Sequence, residues 1–290
     1  MRLNQAIKKN IKQALQEDIG REDITTLFTV PYHFKIKSVL LAKERGVLCG
    51  MDIVKNVFHE RSKSVIFKSF KKDGERFRRG EKIATASGDA RVILSCERVA
   101  LNFLSHLSGI ATSTNSFVRE VRGTSVIILD TRKTIPNLRW LEKYAVRCGG
   151  GNNHRSNLEE AILIKDNHLR AGKFIRNGTF DELRMAKCIS YLRTLSGVTV
   201  EIEVESLTEF EGVIKYSPDI IMLDNFPLEN LKKAVALRNK FFPAVKLEAS
   251  GGVTIKTVRS IAKTGIDSIS IGSITHSSRA IDFSLEVVDG

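Results

Sequence analysis

The sequence predicts an α/β chain in two parts: an α+β first hundred residues, then βα units that imply a parallel sheet or barrel. Three observations carry this. From residue 126 onward, short β-branched runs alternate with helical stretches. Those runs are apolar nearly throughout, as in strands covered on both faces. Before residue 95, strands and helices mix without regular alternation.

The elements follow in order. Apolar residues at Leu3, Ile7, Ile11, Ala14 and Leu15 have helical spacing over 3–17, ending before Asp18-Ile19-Gly20. Residues 36–42 and 64–70 read as strands, with a helix over 51–60 between them. Asp73-Gly74 and Arg79-Gly80 mark turns, and 90–94 is a further strand expectation. A long helix is expected over 96–122, with Val99, Leu101, Leu104, Leu107 and Ile110 on its apolar side. Six apolar strand runs follow, at 126–129, 161–164, 198–204, 220–223, 245–247 and 269–271. Between them, 137–146, 228–239 and 254–263 read as helices, and Trp140 as helix packing.

Composition narrows the class. The 290 residues are 42% hydrophobic and 27% charged, which excludes a disordered tail, a collagen-like repeat and a small disulfide scaffold. No window approaches the ~18 consecutive apolar residues of a spanning helix. The first ten residues carry no apolar signal-peptide core, which argues against export. Lys and Arg number 46 against 33 Asp and Glu, a net charge of +13. That surplus predicts an anionic partner: nucleic acid, acidic membrane, or phosphate and carboxylate substrates. Cys49, Cys96, Cys148 and Cys188 lie far apart with no C-x-x-C, so a zinc ribbon is disfavoured. Isolated reduced thiols suit a cytoplasmic protein. The six histidines show no H-x-H or H-E-x-x-H spacing.

The strand ends carry the chemistry. In order they are Asp130-Thr131-Arg132-Lys133, Lys165-Asp166, Glu203 and Glu205, Asp224-Asn225, Glu248-Ala249-Ser250-Gly251-Gly252, and Gly272-Ser273. In βα barrels the reactive groups gather at the C-terminal ends of the strands. One polar strand end is ordinary surface; six in succession, with acids and bases both present, point to a site. Arg98, Arg132, Lys133, His154, Arg155 and Lys165 form a cationic group matched to carboxylate or phosphate, or else a solvated basic loop. Glu203 and Asp224 each end a strand. They either hold Mg²⁺ and sugar hydroxyls or pair with nearby bases. Ser250-Gly251-Gly252 and Gly272-Ser273 end the last two strands, where barrels often bind phosphate through backbone N–H groups. No nucleophilic Ser or Cys stands beside a base. A phosphorylated sugar, a second anionic substrate and Mg²⁺ would suit this set.

At these residues the sequence resembles the quinolinate phosphoribosyltransferases, the carboxylating nicotinate-nucleotide pyrophosphorylases. The resembling stretches are Glu97-Arg98-Val99-Ala100-Leu101-Asn102, Asp130-Thr131-Arg132-Lys133-Thr134, Asn153-His154-Arg155, Leu163-Ile164-Lys165-Asp166-Asn167-His168, Glu201-Ile202-Glu203-Val204-Glu205, Leu223-Asp224-Asn225-Phe226 and Ala249-Ser250-Gly251-Gly252. Glu17-Asp18-Ile19-Gly20 and Asp23-Ile24-Thr25-Thr26 match at the front, and all run in family order. Two departures are mild: Asn137 stands after Pro136 where the family usually has glycine, and Ser278-Arg279 replaces a more apolar pair.

The resemblance implies an α/β fold: an N-terminal α/β sandwich over 1–108, to which the tail 274–290 returns, and an incomplete β/α barrel over 109–273. It implies one barrel strand beyond the six read above. It implies joining of quinolinate to phosphoribosyl pyrophosphate, giving nicotinate mononucleotide, CO₂ and pyrophosphate, in NAD biosynthesis. Catalysis would fall to Lys133, Glu203 and Asp224. Substrate contacts would come from Arg98, Thr131, Arg132, Lys133, His154, Arg155, Lys165, Glu203, Asp224, Ser250, Gly251, Gly252 and Gly272. Mg²⁺ would enter with phosphoribosyl pyrophosphate near Glu203 and Asp224, directly or through substrate or water, with no organic cofactor. The implied assembly is a homodimer, or a higher oligomer built from it, with Arg98 reaching the partner's site. Neither nucleic acid nor membrane is an expected partner. Two other classes fit parts of the sequence. A same-fold paralogue associated with molybdenum transport should lack part of the cation set that is present here. An RNA-binding protein would suit +13 and the basic stretch 68–82, but that stretch has only Phe70 and Phe77 to stack on bases.

Overall fold

The structure, a computed structural model, describes residues 5–176, 179–195 and 197–288, so Leu3 and the last two residues of the tail lie outside the described residues. Helices α1 (Gln5–Ile19) and α2 (Ile24–Thr29) precede strand β1 (Lys35–Ala42), helix α3 (Met51–Arg61), strands β2 (Ile66–Ser69) and β3 (Lys82–Asp89), and the long helix α4 (Ala90–Glu120). Next come β4 (Ile127–Leu129), α5 (Arg139–Cys148), β5 (Ile162–Ile164), α6 (Asp166–Ala171), α7 (Glu182–Arg193) and β6 (Val200–Val204). The chain continues through α8 (Leu207–Ile214), β7 (Ile220–Asp224), α9 (Leu228–Phe241), β8 (Lys246–Ser250), α10 (Val258–Ala262), β9 (Ser268–Ser270), α11 (Ser273–His276) and β10 (Phe283–Val288). It divides into two compact units. One is Met1–Asn115 with Lys133–Gly151 and Ser273–Gly290; the other is Ser116–Arg132 with Asn152–Gly272. Residues 133–151 thus cluster with the first unit, inside the span the sequence assigns to the barrel.

The first unit is built on an antiparallel sheet in the order β10-β1-β3-β2. Strand β10 closes one side, pairing Lys37 with Val288 and Ala42 with Phe283. Helix α1 buries Ile7, Ile11 and Leu15, one residue per turn, and packs on α3. Asp23 caps α2: its Oδ1 accepts the Thr26 N–H at 3.0 Å and its Oδ2 accepts the Ser95 hydroxyl at 2.9 Å. These bonds, the Thr26 hydroxyl foremost, hold the Asp23 carboxyl below its ordinary value.

Residues 90–94, expected as a strand, open α4 instead. The side chain of Asp89 is the reason. Its Oδ1 accepts the N–H groups of Arg91 and Val92 at 2.9 and 3.3 Å, which starts a helix at a β-branched run. The strand comes just before, as β3. Gly109 on α4 meets the segment leading into β10 so closely that a Cβ there would lie 2.3 Å from the Arg279 carbonyl oxygen. Asn137 adopts φ +67°, the left-handed conformation its glycine counterpart would take freely and that asparagine tolerates. The basic stretch 68–82 spans the end of β2, a two-residue strand and the start of β3; Lys71 pairs with Glu81 at 2.9 Å. Phe77 is buried against Phe283 with ring centroids 5.2 Å apart, so it offers no face to a base. Trp140, expected to pack a helix, stands 54% exposed on α5.

The second unit holds a parallel sheet in the order β4-β9-β8-β7-β6-β5. The additional strand implied by the resemblance amounts, among the described residues, to one parallel bridge between Leu129 and Asn152. Val200, Ile202 and Val204 of β6 are buried on one face; Glu201 and Glu203 alternate with them onto the other. A buried guanidinium ties the helical layer to the sheet. Arg238 of α9 donates to the carbonyls of Val245 and Gly265 and, at 2.6 Å, to Asp267 Oδ2. Asp267 also accepts from Lys246 Nζ at 3.0 Å and from the Leu247 N–H at 2.9 Å. Among the described residues, no helix is long and apolar enough to cross a membrane.

Burial alone would raise the Asp267 carboxyl, but the Leu247 N–H, Arg238 and Lys246 more than offset it, and the group titrates below its ordinary 3.8. Its stabilising contribution is therefore full above that value and is lost as pH falls through the depressed folded value. Asp267→Ala leaves Arg238 buried with only carbonyl partners and should destabilise the chain by about 3 kcal/mol at pH 7. Urea midpoints at pH 7 and pH 3 check this, since the difference between variant and parent should shrink at the lower pH.

Candidate active site

Six strand ends of the second unit present the residues singled out by the sequence. After β4 comes Asp130, fully buried, which fixes the loop beyond Asn152. Its Oδ2 accepts from Asn153 Nδ2 at 2.5 Å and its Oδ1 from the His154 N–H at 2.9 Å. This brings Arg132 and Arg155 close. Burial, then the positive charge of Arg132, hold Arg155 below the usual guanidinium value, with Glu201 opposing. Arg155 Nη1 donates to the Ala161 carbonyl at 2.8 Å, while its Nε is buried with no partner among the described residues. A buried donor left over beside a second guanidinium is suited to an incoming carboxylate.

Lys165, at the end of β5, forms an ion pair with Glu203 of β6. Burial pushes the Glu203 carboxyl above its usual range; Lys165 opposes this, and the negative charges of Asp224 and Asp166 add to it. Asp224 ends β7, where its Oδ2 accepts from Asn225 Nδ2 at 2.8 Å. The two carboxylates are thus neighbours on adjacent strands, and among the described residues Glu203 alone pairs with a lysine.

Ser250 and Gly251 end β8 against the same turn. The Asn225 N–H donates to the Ser250 carbonyl at 2.9 Å. Gly251 has φ +86°, and a Cβ there would stand 2.2 Å from Asn225 Oδ1. The backbone can pass only as glycine. Gly252 follows at φ +58°. Gly272 lies one residue past Ile271, whose N–H donates to the Leu129 carbonyl at 3.0 Å.

His154 is placed differently from the other cations. Its Nδ1 accepts the Arg155 N–H at 2.9 Å, so the ring proton sits on Nε2. That Nε2 donates to Glu201 Oε2 at 3.0 Å, with Glu248 Oε1 at 3.7 Å. Both ring nitrogens are engaged, and the ring orients the Arg155 backbone. Glu201 and Glu248 are 2% and 1% exposed, and each keeps one oxygen without a hydrogen bond among the described residues. A cavity of about 730 Å³ reaches this cluster from the opposite end of the strands, past Ile127, Ile220, Lys246 and Ser268. Neither glutamate was picked out as a site residue. The available signal was acid at every second position of an apolar strand, which puts Glu201 on the same face as Glu203.

The remaining expected residues lie outside this group. Thr131 follows Asp130 and is half-buried. Lys133 belongs to the first unit, where its carbonyl accepts the Thr275 hydroxyl at 2.7 Å. Arg98 stands exposed on α4, also in the first unit.

Burial, reinforced by the charge of Glu201, raises the Glu248 carboxyl from 4.5 to about 7, with His154 opposing. The folded chain therefore keeps a proton that the unfolded chain has released, and this costs stability as pH rises between those two values. Glu248→Gln mimics the protonated form. It should flatten that part of the pH dependence, read as the difference in denaturant midpoints between pH 5 and pH 8. Parallel curves for parent and variant would show that Glu248 ionises freely.

The chain is similar to known proteins over nearly its whole length. Residues 23–108 match the quinolinate phosphoribosyl transferase N-terminal domain and residues 110–286 its C-terminal domain. The nicotinate-nucleotide pyrophosphorylase [carboxylating] of Mycobacterium leprae is 38% identical over 97% of each chain. A probable enzyme of the same name from Bacillus subtilis is 38% identical, covering 97% of this chain and 93% of the relative. The crystal structure of NadC from Streptococcus pyogenes superposes with a TM-score of 0.90 at 39% identity over 100% of both chains. That of the Francisella tularensis pyrophosphorylase gives 0.89 at 36% identity over 99% and 98%. The two matched domains, in order and over nearly the whole chain, place it in the quinolinate phosphoribosyl transferase family.

Proposed function

We propose that the chain transfers the phosphoribosyl group of phosphoribosyl pyrophosphate to the ring nitrogen of quinolinate, releasing pyrophosphate and CO₂ and leaving nicotinate mononucleotide. The supporting observations are two charge clusters of the second unit: the guanidiniums of Arg132 and Arg155, and the acid pair Glu203 and Asp224 with Lys165. A dicarboxylate and a sugar that turns cationic need those two charge types side by side.

As pyrophosphate leaves C1, positive charge grows on the ribose. Glu203 and Asp224 are carboxylates suited to stabilise that charge and to accept hydrogen bonds from sugar hydroxyls. Lys165 neutralises Glu203 before substrate arrives and can turn to a substrate carboxylate. Arg132 and Arg155 hold the two quinolinate carboxylates. Once the ring nitrogen is alkylated it accepts the electron pair left by CO₂, so no organic cofactor is required. The backbone of Ser250, Gly251, Gly252 and Gly272 receives the 5′-phosphate.

Glu203 and Asp224 also fit Mg²⁺. They are hard oxygen donors on adjacent strands, and Mg²⁺ is usually held by one or two carboxylates plus substrate phosphates. Bound there, the ion would offset charge on the pyrophosphate. The assembly in this reading is a homodimer in which the exposed Arg98 reaches the partner's site, and Lys133 is assigned to catalysis.

The direct test is incubation with quinolinate, phosphoribosyl pyrophosphate and Mg²⁺. CO₂ and nicotinate mononucleotide should appear together, and their absence rejects the assignment. Two finer outcomes are expected. Gly251→Ala should raise the Kd for phosphoribosyl pyrophosphate more than that for quinolinate; equal losses would indicate misfolding. Nicotinate, with one carboxylate, leaves a half-buried cation unmatched. Such a loss typically costs about 2–5 kcal/mol, or roughly 30- to 4,000-fold in affinity. Competition binding at fixed ionic strength measures it, and a difference of only a few-fold would mean the arginines merely line a wet, basic mouth.

A further inference from the structure

Cys49 and Cys148 are far apart in sequence, yet their sulfurs and a carboxylate oxygen of Asp73 all lie within 4.8 Å of one another in the first unit. Both positions are held firmly. The Cys49 N–H donates to Ser108 Oγ at 3.1 Å, and that hydroxyl donates back to the Cys49 carbonyl at 3.3 Å. Cys148 is the last residue of α5, followed by Gly149, whose N–H closes the helix onto the Ala145 carbonyl at 3.0 Å.

The residue types would also suit a soft metal ion, but Asp73 is already committed. Its Oδ1 accepts the N–H groups of Gly50 and Met51 at 3.0 and 3.1 Å, and its Oδ2 accepts the Tyr144 hydroxyl at 2.7 Å. Three bonds leave it as a fixed anion beside the sulfurs and a poor third ligand. What remains is a pair of unequal thiols. Cys49 is fully buried, and burial pushes its thiol well up. Cys148 is half-buried, and the hydrogen bond from Cys49 pulls its thiol down despite burial. A half-exposed sulfur within bonding reach of a sheltered one is the arrangement of an oxidisable dithiol. The other two cysteines differ. Cys96 is buried, its thiol raised to about 12, and points its S–H at the Val57 carbonyl at 3.8 Å; burial also raises Cys188.

We propose that Cys49 and Cys148 form a redox-active pair, with Cys148 attacking a hydroperoxide and Cys49 closing the disulfide. The Cys148 thiolate attacks one peroxide oxygen; the O–O bond breaks, and the other oxygen leaves as hydroxide and takes up a proton to become water. Cys148 is then a sulfenic acid. Cys49 sulfur attacks it, the S–O bond breaks, and the hydroxyl leaves as water with the Cys49 proton. Two thiols lose two electrons and one H₂O₂ becomes two waters. A disulfide is about 2 Å long, so the sulfurs need to close less than ~3 Å. The bridge fastens the end of α5 to the segment entering α3. Cys148 also begins the glycine run that leads along the chain to His154 and Arg155.

The test treats the reduced, chelator-washed full chain with equimolar H₂O₂, then counts thiols in denaturant and maps unreduced tryptic peptides. Thiols should fall from four to two, the mass should fall by two hydrogen atoms, and peptides 46–55 and 148–155 should be joined. Dithiothreitol should restore all four. Cys49→Ser, or Cys49→Ala should serine disturb folding, should leave a sulfenic acid on Cys148 that a cyclic 1,3-dione traps. Cys148→Ser should leave Cys49 reduced. Retention of four thiols, or oxidation spread over Cys96 and Cys188, overturns the proposal.

Discussion

The alternation of side chains along β6 is the constraint on which the second unit rests. Val200, Ile202 and Val204 fill the layer under the helices; Glu201 and Glu203 take the opposite face. A slip of one residue would exchange the two sets, burying carboxylates in an apolar layer. The parallel register prevents it, pairing Glu201 with Ile220, Glu203 with Met222 and Met222 with Glu248. The inward face is therefore acidic at two depths. The deeper level, Glu201 and Glu248, carries His154. The level nearer the strand ends, Glu203 beside Asp224, meets Lys165. Buried acids are costly to fold, and here the deeper pair supports the loop that presents Arg155.

Asp130 supports the same loop from the other side. Being fully buried and hydrogen-bonded to both Asn153 and the His154 backbone, it leaves the loop little freedom at its base. Two anions thus grip the root of a loop whose tip is cationic. Arg155 and Arg132 remain close in spite of mutual repulsion because the loop is fixed at these points, independently of a ligand. A site ordered in advance spends less of its binding energy on arranging itself.

What the sequence made legible was local. The six strand ends, the acids Glu203 and Asp224, and Gly251 with its left-handed turn can all be read from short stretches, because each is set by its own strand and turn. Residues 90–94 read as a strand because Val92-Ile93-Leu94 is an apolar run with two β-branched residues, while the deciding group is the preceding Asp89 side chain. Glu201 and Glu248 stand inside stretches that the sequence marks, yet no role for them is legible there. Their role depends on His154, and three distant segments must meet before it exists. Likewise the pairing of Cys49 with Cys148 has no spacing signature, and only the folded first unit brings the sulfurs together. Asn137 lies between these cases: its departure from glycine was visible, but its φ of +67° was needed to explain why the exchange is tolerated.

Strand β10 has a consequence for how the chain is made. It completes the first sheet by pairing with β1, although some 240 residues separate Ala42 from Phe283. Ribosomal synthesis delivers β1 long before its neighbour. Through that interval the β1 edge presents open N–H and C=O groups, the kind of surface that recruits strands from other chains. Lys35 and Lys37 at the head of β1, among the exposed or half-exposed residues there, place charge on the waiting edge. Crowded nascent chains should therefore be most prone to mispairing late in translation, just before β10 emerges.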